Sequence, residues 1–423
     1  MKRRQFLQSS AAITGSMIVP GVARANSVEL GKAEHCVMLW LGGGMAQIDT
    51  FDPKEMGDAA AKKAGSYYSS IETAVPGVRV CEHLAQTAGV MEHLTAVRSL
   101  NHDVVDEHAA ATNRMHTGRP TSGTVTYPSL GSIVAHKRGA VQEGVPAYVV
   151  LGYPNIVRGP GFLGPEAGFV YSTDIESGPA GLARPDWLAS SRVSRREELL
   201  NTVRESGATR YSGDRKFQEY DAALRESMRL SGPDFMEVFN LSSEPGRLRE
   251  SYGSEFGQRC LLARRLFQAG VRFVEVSYSD NFKNGTGWDT HNQGQLNQHL
   301  LIQDLDAALA TLVKDLKAHD LLDKTVILVN SEFGRPGKFD SGGGRGHQSK
   351  CFTGVIGGGG LKHTGARGVS DEISNEILED SVSVPDFFAT ALAALQIDPG
   401  ENLYDGDRPV PITDLGKPIS ALL

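Results

Sequence analysis

Short, largely apolar runs recur along the chain, and segments with helical periodicity separate them. The runs cover residues 35–44, 146–152, 271–279, 325–331 and 351–360. They are rich in β-branched residues and mostly lack the polar alternation of a half-exposed strand. This pattern is typical of strands that are covered on both faces, as in a parallel sheet.

The clearest helical pattern covers residues 295–319, where leucines recur at helical spacing and predict one apolar stripe. These leucines are Leu296, Leu300, Leu305, Leu309, Leu312 and Leu316. Residues 257–270 predict a helix with Gly270 as its C-cap, and residues 384–395 predict another that Pro385 opens. Strands and helices in alternation predict an α/β fold with a doubly wound, mostly parallel sheet.

Residues 184–249 differ from the rest, because they are charge-rich, helical in pattern and poor in strand signals. We interpret them as a helical insertion within a single α/β domain of residues 26–423. The total length of 423 residues is compatible with one large domain of this class.

Residues 1–25 have the features of a signal peptide. Arg3 and Arg4 precede a short apolar run, and Ala23 and Ala25 form an A-x-A cleavage pattern. The paired arginines predict twin-arginine export, and therefore a periplasmic or secreted protein. The apolar run is too short to span a bilayer and no later run is long enough, so we expect no integral membrane segment after signal removal.

The composition limits the classes of partner. The chain is 40% hydrophobic and 22% charged, with a formal charge of −7 that becomes more negative once residues 1–25 are removed. An acidic chain without a basic block binds nucleic acid poorly, so we expect no nucleic-acid partner. The four cysteines match no zinc motif, and their spacing does not pair them into disulfides.

Acids and histidines gather where four successive predicted strands end. Ligands of open α/β sheets bind outside the carboxyl ends of the strands, so these side chains are candidates for a common site. They are Asp49 and Asp52 after the first strand, His102, Asp103, Asp106, His108 and His116 after residues 93–100, Asp289 and His291 after residues 271–279, and Glu332 and His347 after residues 325–331.

Four of these residues are the predicted metal ligands. Asp289 and His291 form an Asp-x-His pair that can project two ligands from one tight turn, although Asp289 could instead cap the next helix. Glu332 and His347 would complete the shell from a neighbouring loop, whose glycines permit close backbone approach. Oxygen and imidazole ligands predict a divalent metal ion, and zinc, manganese and calcium are the candidates.

Two arginines accompany these ligands in the same glycine-rich loop. Arg335 and Arg345 are predicted to bind phosphate or sulfate oxygens in bidentate fashion. The alternative for Arg335 is a structural ion pair with Glu332. On the first interpretation, the loop forms one wall of a site for an anion and a metal.

Two further side chains are weaker candidates for the same site. His102 and Asp49 are possible additional ligands. The dipeptide Asp52-Pro53 is a strong turn signal, and it favours a turn role for both Asp49 and Asp52. P-loop, Gly-x-Ser-x-Gly, dinucleotide-binding and His-Glu-x-x-His motifs are absent from the sequence.

Seven segments of the chain together resemble one known family. They are GGGMAQIDTFDPK, RSLNHDVVDEH, HTGRP, GVRFVEV, GWDTH, LLDKTVILVNSEFGRPG and GRGHQ, in this order. The family is exported, bacterial and known as domain of unknown function 1501, and it is grouped with the alkaline phosphatase and sulfatase superfamily. The resemblance covers nearly the whole chain after the signal peptide, and it implies an alkaline phosphatase-like fold.

The resemblance also implies roles for the candidate ligands. Superfamily members often have an Asp-His pair after a strand, and here Glu332 replaces the acid while Phe333 replaces the histidine. The superfamily's upstream Asp and His resemble Asp289 and His291, and its late histidine resembles His347. Since other usual ligands are missing, the resemblance implies one metal ion rather than two.

The nucleophile of the superfamily has no hydroxyl counterpart in this sequence. Sulfatases have it nine residues before a Thr-Gly pair, and counting back nine residues from Thr117 leads to His108. His108 is therefore the predicted nucleophile or general base, and Arg335 and Arg345 would stabilise the developing charge.

The sequence leaves two candidate functions, one of an enzyme and one of a non-catalytic binding protein. The first is an exported metal-dependent hydrolase of phosphate or sulfate esters, with a small molecule or a polymer as its substrate. The second is a non-catalytic periplasmic protein with a degenerate site that binds a ligand or a partner protein. The missing nucleophile favours the second function, and the Asp, His, Glu and Arg set favours the first.

Overall fold

The structure is a computed structural model that describes residues 28–183, 187–230, 233–278 and 287–423. The predicted signal peptide, residues 1–25, lies outside the described residues. The same holds for short pieces of the predicted insertion and for the last residue of the strand predicted at residues 271–279. Among the helices of these four ranges, none has the length and apolar character needed to cross a membrane.

The strands of the described residues form one large sheet and several small ribbons. They are β1 (His35–Trp40), β2 (Ser70–Glu72), β3 (Arg79–Cys81), β4 (Leu94–Asn101), β5 (Tyr148–Leu151), β6 (Val170–Ser172), β7 (Phe273–Ser277), β8 (Thr325–Asn330), β9 (Phe352–Gly358), β10 (Gly365–Arg367), β11 (Val369–Ser370), β12 (Ile377–Glu379), β13 (Val382–Ser383), β14 (Asn402–Asp405) and β15 (Arg408–Pro411).

The α-helices of the described residues lie between these strands in the chain. They are α1 (Ala85–Ala88), α2 (His108–Thr117), α3 (Leu130–Arg138), α4 (Ser190–Arg210), α5 (Arg215–Leu230), α6 (Pro233–Glu237), α7 (Gly246–Tyr252), α8 (Glu255–Gln268), α9 (Gln295–Ala318) and α10 (Val384–Ala394). The predicted insertion at residues 184–249 contributes α4, α5, α6 and the start of α7.

The central sheet is mostly parallel, which confirms the predicted fold class. Its strand order is β10-β4-β9-β8-β1-β7-β5-β6, and β13 also pairs with β4. The exception is β9, which runs antiparallel to both β4 and β8. Residues 331–351 connect β8 to β9 and contain no helix, so the chain returns as an antiparallel neighbour without the crossover that a parallel strand requires.

Both faces of the sheet are covered, as the apolar runs predict. In β1, Val37 and Leu39 belong to one core, and Cys36 and Met38 belong to the other. Helices α8 and α9 pack in the first core, and α3 and α10 pack in the second. Each fully buried aliphatic side chain of this kind stabilises the fold by about 1.5–3 kcal/mol.

The predicted helices differ from the observed ones mainly at their ends. Leu305 and Leu312 of α9 are fully buried, but Leu296 in its first turn is 61% exposed, so its predicted place in the apolar stripe is wrong. Helix α10 has Ser383 as its N-cap in a capping box. Helix α8 ends at Gln268, before the predicted cap Gly270, whose φ is +100°.

The four cysteines lie within the described residues, and each is a free, buried thiol. Cys81 and Cys260 lie in the first core and Cys36 in the second, where small thiols pack as apolar side chains. Burial raises the pKa of the Cys36 and Cys260 thiols, so neither has thiolate character at neutral pH.

Candidate metal centre

A pocket of about 460 Å³ opens at the carboxyl edge of the central sheet. Trp40 ends β1, Ser277 ends β7, and Gly152 and Glu332 follow β5 and β8 within two residues; all four line this pocket. The position agrees with the general rule for open α/β sheets, because the carboxyl ends of parallel strands meet at one edge.

Gly43, just after β1, lets two loops of the site meet. Its φ is +117°, and a Cβ there would lie 2.2 Å from the backbone nitrogen of Asp289. Its own N–H donates to both carboxylate oxygens of Glu332, at 2.8 and 2.9 Å. A side chain at this position would therefore push Asp289 away from Glu332.

Glycine also allows the loop after β8 to approach the backbone of His291 closely. A Cβ on Gly344 would lie 2.4 Å from the backbone nitrogen of Asn292 and 2.4 Å from the carbonyl carbon of His291. The backbone N–H of Arg345 donates to the carbonyl of Thr290 at 3.1 Å. Glycine therefore allows direct contact between this loop and the backbone that carries His291.

Four predicted residues converge on one point beside the pocket. The Oδ1 atom of Asp289 lies 3.7 Å from Nε2 of His108, 3.3 Å from Nε2 of His291 and 3.8 Å from Nε2 of His347. The ligand atoms of His108, Asp289 and His347 all lie within 4.8 Å of one another. Of these residues, His108 and Asp289 also line the pocket.

Two of the imidazoles bind a carboxylate through their other nitrogen. His108 Nδ1 lies 2.7 Å from Oε1 of Glu332, and His347 Nδ1 contacts Oδ1 of Asp106. Both contacts leave the Nε2 atom of the ring directed toward Asp289. The side chain of Glu332 is only 4% exposed, whereas that of Asp106 is 82% exposed.

The surroundings favour the protonation states that metal ligands need at Asp289 and at His291. Burial opposes ionisation of Asp289, but His347 and the hydrogen bond from Arg335 outweigh it and hold the pKa of this carboxyl well below its usual range. Burial and the nearby Arg335 charge lower the pKa of His291. At His108 the direction is the opposite, because the hydrogen bond to Glu332 raises the pKa of the ring despite partial burial, and a metal ion would have to displace the proton that this favours.

His291 and His347 are positioned for a cation between them. Their Nε2 atoms are 2.9 Å apart. Arg335 Nη1 lies 3.2 Å from Nε2 of His291, and a guanidinium only donates, so this nitrogen presents a lone pair. The carboxylate of Asp106 only accepts, so Nδ1 of His347 carries a proton, and the neutral form of this ring presents the lone pair of Nε2 to a metal ion. The two Nε2 atoms are close enough to bind one metal ion together.

The donor set fits zinc or manganese better than calcium. Imidazole nitrogens with one carboxylate are common ligands of zinc and of other transition metals. Calcium takes six to eight oxygen ligands, and here three of the four converging side chains are histidines. The arrangement therefore favours zinc or manganese among the three predicted metals, and the identity of the metal stays a prediction.

Arg335 lies at the site but behind Asp289. Its side chain is fully buried, and Nη2 lies 2.5 Å from Oδ1 of Asp289. Other guanidinium nitrogens donate to the carbonyls of Gly44 and Arg345, at 3.2 and 3.0 Å. The ion pair that the sequence offered as an alternative thus exists, but with Asp289 rather than with Glu332.

The structure corrects the predicted roles of Arg345 and Asp49. Both side chains are fully buried and form an ion pair, with Nε to Oδ2 at 2.7 Å and Nη2 to Oδ1 at 2.9 Å. Nη1 of Arg345 donates to the carbonyls of Pro336 and Gly337. Arg345 therefore cannot reach an ester oxygen and Asp49 is no metal ligand, because each occupies the other in the protein interior.

Glu332 and His102 also differ from their predicted roles. Both oxygens of Glu332 accept from Gly43, and one also contacts His108, so Glu332 lies behind His108 instead of among the converging ligand atoms. His102 has neither ring nitrogen free: Nε2 contacts the carbonyl of Glu332 at 2.6 Å, and Nδ1 accepts from Val104 N–H at 3.2 Å. His102 thus holds the backbone of Glu332 in place.

A buried charged network lies below the pocket, and it was not predicted from the sequence. Glu275 of β7 is fully buried and binds Arg158, Tyr148 and His116. Burial opposes its ionisation, but the Arg158 charge outweighs this and lowers the pKa of Glu275 to about 2. The glutamate interrupts the apolar run at residues 271–279, and that interruption was the available signal.

The aromatic ring of Phe333 packs in the site. Its centroid lies 4.4 Å from that of His347 and 4.9 Å from that of His108. The position that resembles a superfamily histidine is therefore filled by a ring that supports two other histidines and supplies no ligand atom.

Comparison with known proteins gives distant structural similarities, and no curated protein matches the sequence. The lipoteichoic acid synthase LtaP from Listeria monocytogenes matches at 10% identity over 92% of this chain and 77% of that chain, with a TM-score of 0.41. The PsFucS1 sulfatase from Pseudoalteromonas sp. matches at 11% identity over 86% and 68%, with a TM-score of 0.37. Alkaline phosphatase from the Antarctic bacterium TAB5 matches at 14% identity over 78% and 93%, with a TM-score of 0.35.

One family model covers nearly all of the described chain. It is described as Protein of unknown function (DUF1501), and it matches residues 33–423. The matched segment includes the sheet, the pocket and all the residues that converge on Asp289. The chain therefore belongs to the DUF1501 family.

Proposed function

We propose that this chain is a hydrolase of phosphate or sulfate esters that uses one divalent metal ion, with zinc as the best fit. His108, Asp289, His291 and His347 would hold the ion. The observation that carries this proposal is the convergence of three Nε2 atoms on Oδ1 of Asp289, at 3.3–3.8 Å, beside a pocket. An ion bound there would polarise an ester oxygen and lower the pKa of a bound water.

The chain's own residues would bind and orient the substrate. His108 and Asp289 line the pocket, so an ester group in it would lie against these two side chains. Trp40 and Tyr278, each 4% exposed, form part of the wall and limit access of water. Arg335 would hold Asp289 in place through its contact at 2.5 Å.

We assign His108 to the ligand set instead of to the nucleophile position. Its Nε2 lies 3.7 Å from Oδ1 of Asp289, while its Nδ1 is engaged by Glu332. A His108→Ala variant that retains the metal but loses turnover would return His108 to the role of general base or nucleophile.

The first test is the metal content of the purified chain, measured by inductively coupled plasma mass spectrometry. We expect about one divalent ion per chain in the wild type, and almost none in His291→Ala or His347→Ala, because each change removes a ligand. The exposed His136 provides the control, since His136→Ala should retain the ion. Chains with and without metal are then assayed on aryl phosphates and aryl sulfates. Metal-free wild type, or a metal-loaded chain that hydrolyses neither ester class, would contradict the proposal.

One observation favours the alternative, a non-catalytic periplasmic protein that binds a ligand or a partner. The guanidinium of Arg335 lies 2.5 Å from Asp289 Oδ1 and 3.2 Å from His291 Nε2, and such a positive charge opposes a cation at the same place. If this alternative holds, the wild type binds no metal, whereas Arg335→Met gains an ion because the competing charge is gone.

A further inference from the structure

We propose that Asp106 is a positioning residue of the metal centre, and that its carboxylate holds His347 with Nε2 directed at the ion. This inference rests on the proposed metal ion. Asp106 follows β4 in the loop before α2, and it lies 241 positions from His347 in the sequence. Its role concerns the histidine ring only, since it is not among the atoms that converge on Asp289.

The geometry of His347 carries the proposal. Oδ1 of Asp106 contacts Nδ1 of the ring, while Nε2 lies 2.9 Å from His291 and 3.8 Å from Asp289. A carboxylate can only accept, so the proton resides on Nδ1 and the lone pair on Nε2. Without Asp106 the ring could carry its proton on either nitrogen and could turn, and only one of these states presents the lone pair of Nε2 at the site.

The same arrangement occurs on a second histidine, which makes it a property of the site. Glu332 contacts Nδ1 of His108 at 2.7 Å, and Nε2 of that ring lies 3.7 Å from Asp289. Carboxylates that orient metal-binding histidines in this way typically increase metal affinity by about 10–100-fold.

The third histidine does not share this arrangement. His291 Nδ1 is 3.9 Å from Asp340, which is beyond hydrogen-bonding distance. The oxygens of Asp340 accept instead from the backbone N–H groups of Asn292 and Gly344, at 2.7 and 3.0 Å. Asp340 therefore shapes the loop, and we assign no positioning role to it.

Asp106 is the better residue for a test than Glu332. Its side chain is 82% exposed, so its replacement leaves no buried void, whereas Glu332 is 4% exposed and also accepts from Gly43. Asp103 offers a matched control in the same loop. It is 68% exposed, and its charged contact is Arg114, at 3.4 Å, outside the site.

The test measures zinc affinity of the full chain by competition with a chelator. We expect Asp106→Asn to weaken zinc binding by about 10–100-fold. Asp103→Asn should leave the affinity unchanged, and Asp106→Glu should restore part of the loss. Urea unfolding of the metal-free chain should be the same for Asp106→Asn and wild type, because the removed group is exposed.

The absorption spectrum of the cobalt-substituted chain is the second measurement, since it reports ligand geometry. We expect Asp106→Asn to change this spectrum and Asp103→Asn to leave it as in wild type. Equal zinc affinity in Asp106→Asn and wild type would overturn the inference, and so would an equal loss in Asp103→Asn. A wild type without any affinity for zinc or cobalt would overturn the proposed function together with this inference, so the two failures are distinguishable.

Discussion

Arg335 and Arg345 lie ten positions apart in one glycine-rich loop, and their surroundings give them different roles. Arg335 contacts Asp289 and His291 at the site. Arg345 is enclosed with Asp49 and carbonyl groups in the interior. A buried ion pair of this kind is costly to break, because removal of one partner leaves the other charge without compensation.

We predict that Arg345→Met lowers the free energy of unfolding by about 3–5 kcal/mol, because Asp49 loses its buried partner. Urea unfolding of the metal-free chain measures this. Lys338→Met, an exposed change in the same loop, should have little effect. Adding Asp49→Asn to Arg345→Met should recover part of the loss. An Arg345→Met chain with unchanged stability but no turnover would support the original catalytic prediction for this arginine.

Four elements meet at the buried Glu275 below the pocket, and one of them is β5, which contributes Tyr148. The glutamate belongs to β7, Arg158 to the short 3-10 helix Ile156–Arg158, and His116 to α2. Since α2 begins with His108, the network links the position of a proposed ligand to the centre of the sheet.

The stability of this network should depend on pH in a defined direction. The pKa of Glu275 falls from an ordinary value of 4.5 to about 2 in the fold. Its ionised form therefore contributes stability that is fully present above about pH 4.5 and is lost as the pH falls toward 2.

We predict that Arg158→Met lowers the free energy of unfolding by about 3–5 kcal/mol at neutral pH. The loss should shrink in acid, because Glu275 without its partner can protonate and become neutral. Urea unfolding at neutral pH and at about pH 3.5 measures both effects. Arg225→Met is the control, since Arg225 is 58% exposed and makes a surface pair with Asp221 at 3.4 Å. A loss that is independent of pH would mean that Glu275 is not the group involved.

At the scale of the molecule, the site depends on segments that are far apart in the chain. His108 and Glu332 are 224 positions apart, and Arg335 and Gly43 are 292 apart. Such a site forms only when the whole sheet has folded, so metal binding and folding are linked. Twin-arginine export carries folded proteins, so we propose that, if the chain takes this route, the site is complete before export.

We propose twin-arginine export on the basis of Arg3 and Arg4, and the proposal can be tested in a bacterium with this pathway. The double change Arg3→Lys and Arg4→Lys should leave the full-length chain in the cytoplasm, because the pathway's receptor requires the arginines. Lys2→Gln is the control and should be exported normally. Cell fractionation with immunoblotting measures the outcome, and periplasmic protein from the double variant would contradict the route.

The sequence by itself determined the fold class and the edge of the sheet at which the candidate site lies. Continuous apolar runs require cover on both faces, which led to the mostly parallel sheet, and parallel strands end at a common edge. Helix periodicity placed α9 to within one residue at its C-terminus, at Ala318 instead of residue 319. Because they follow predicted strands that end at that edge, Asp289, His291, His347 and His108 were predicted to lie together, and the structure brings them together.

Only the tertiary structure decided which carboxylate and which arginine face which partner. Glu332, Asp49 and Asp106 are chemically alike in the sequence, but one supports His108, one binds Arg345 and one contacts His347. A hydrogen bond requires atoms within about 3 Å. Distances on that scale arise from the packing of loops that are hundreds of positions apart, and no local pattern encodes them. The tertiary structure also decided the direction of β9. The connection from β8 contains no helix, so β9 returns antiparallel to β8.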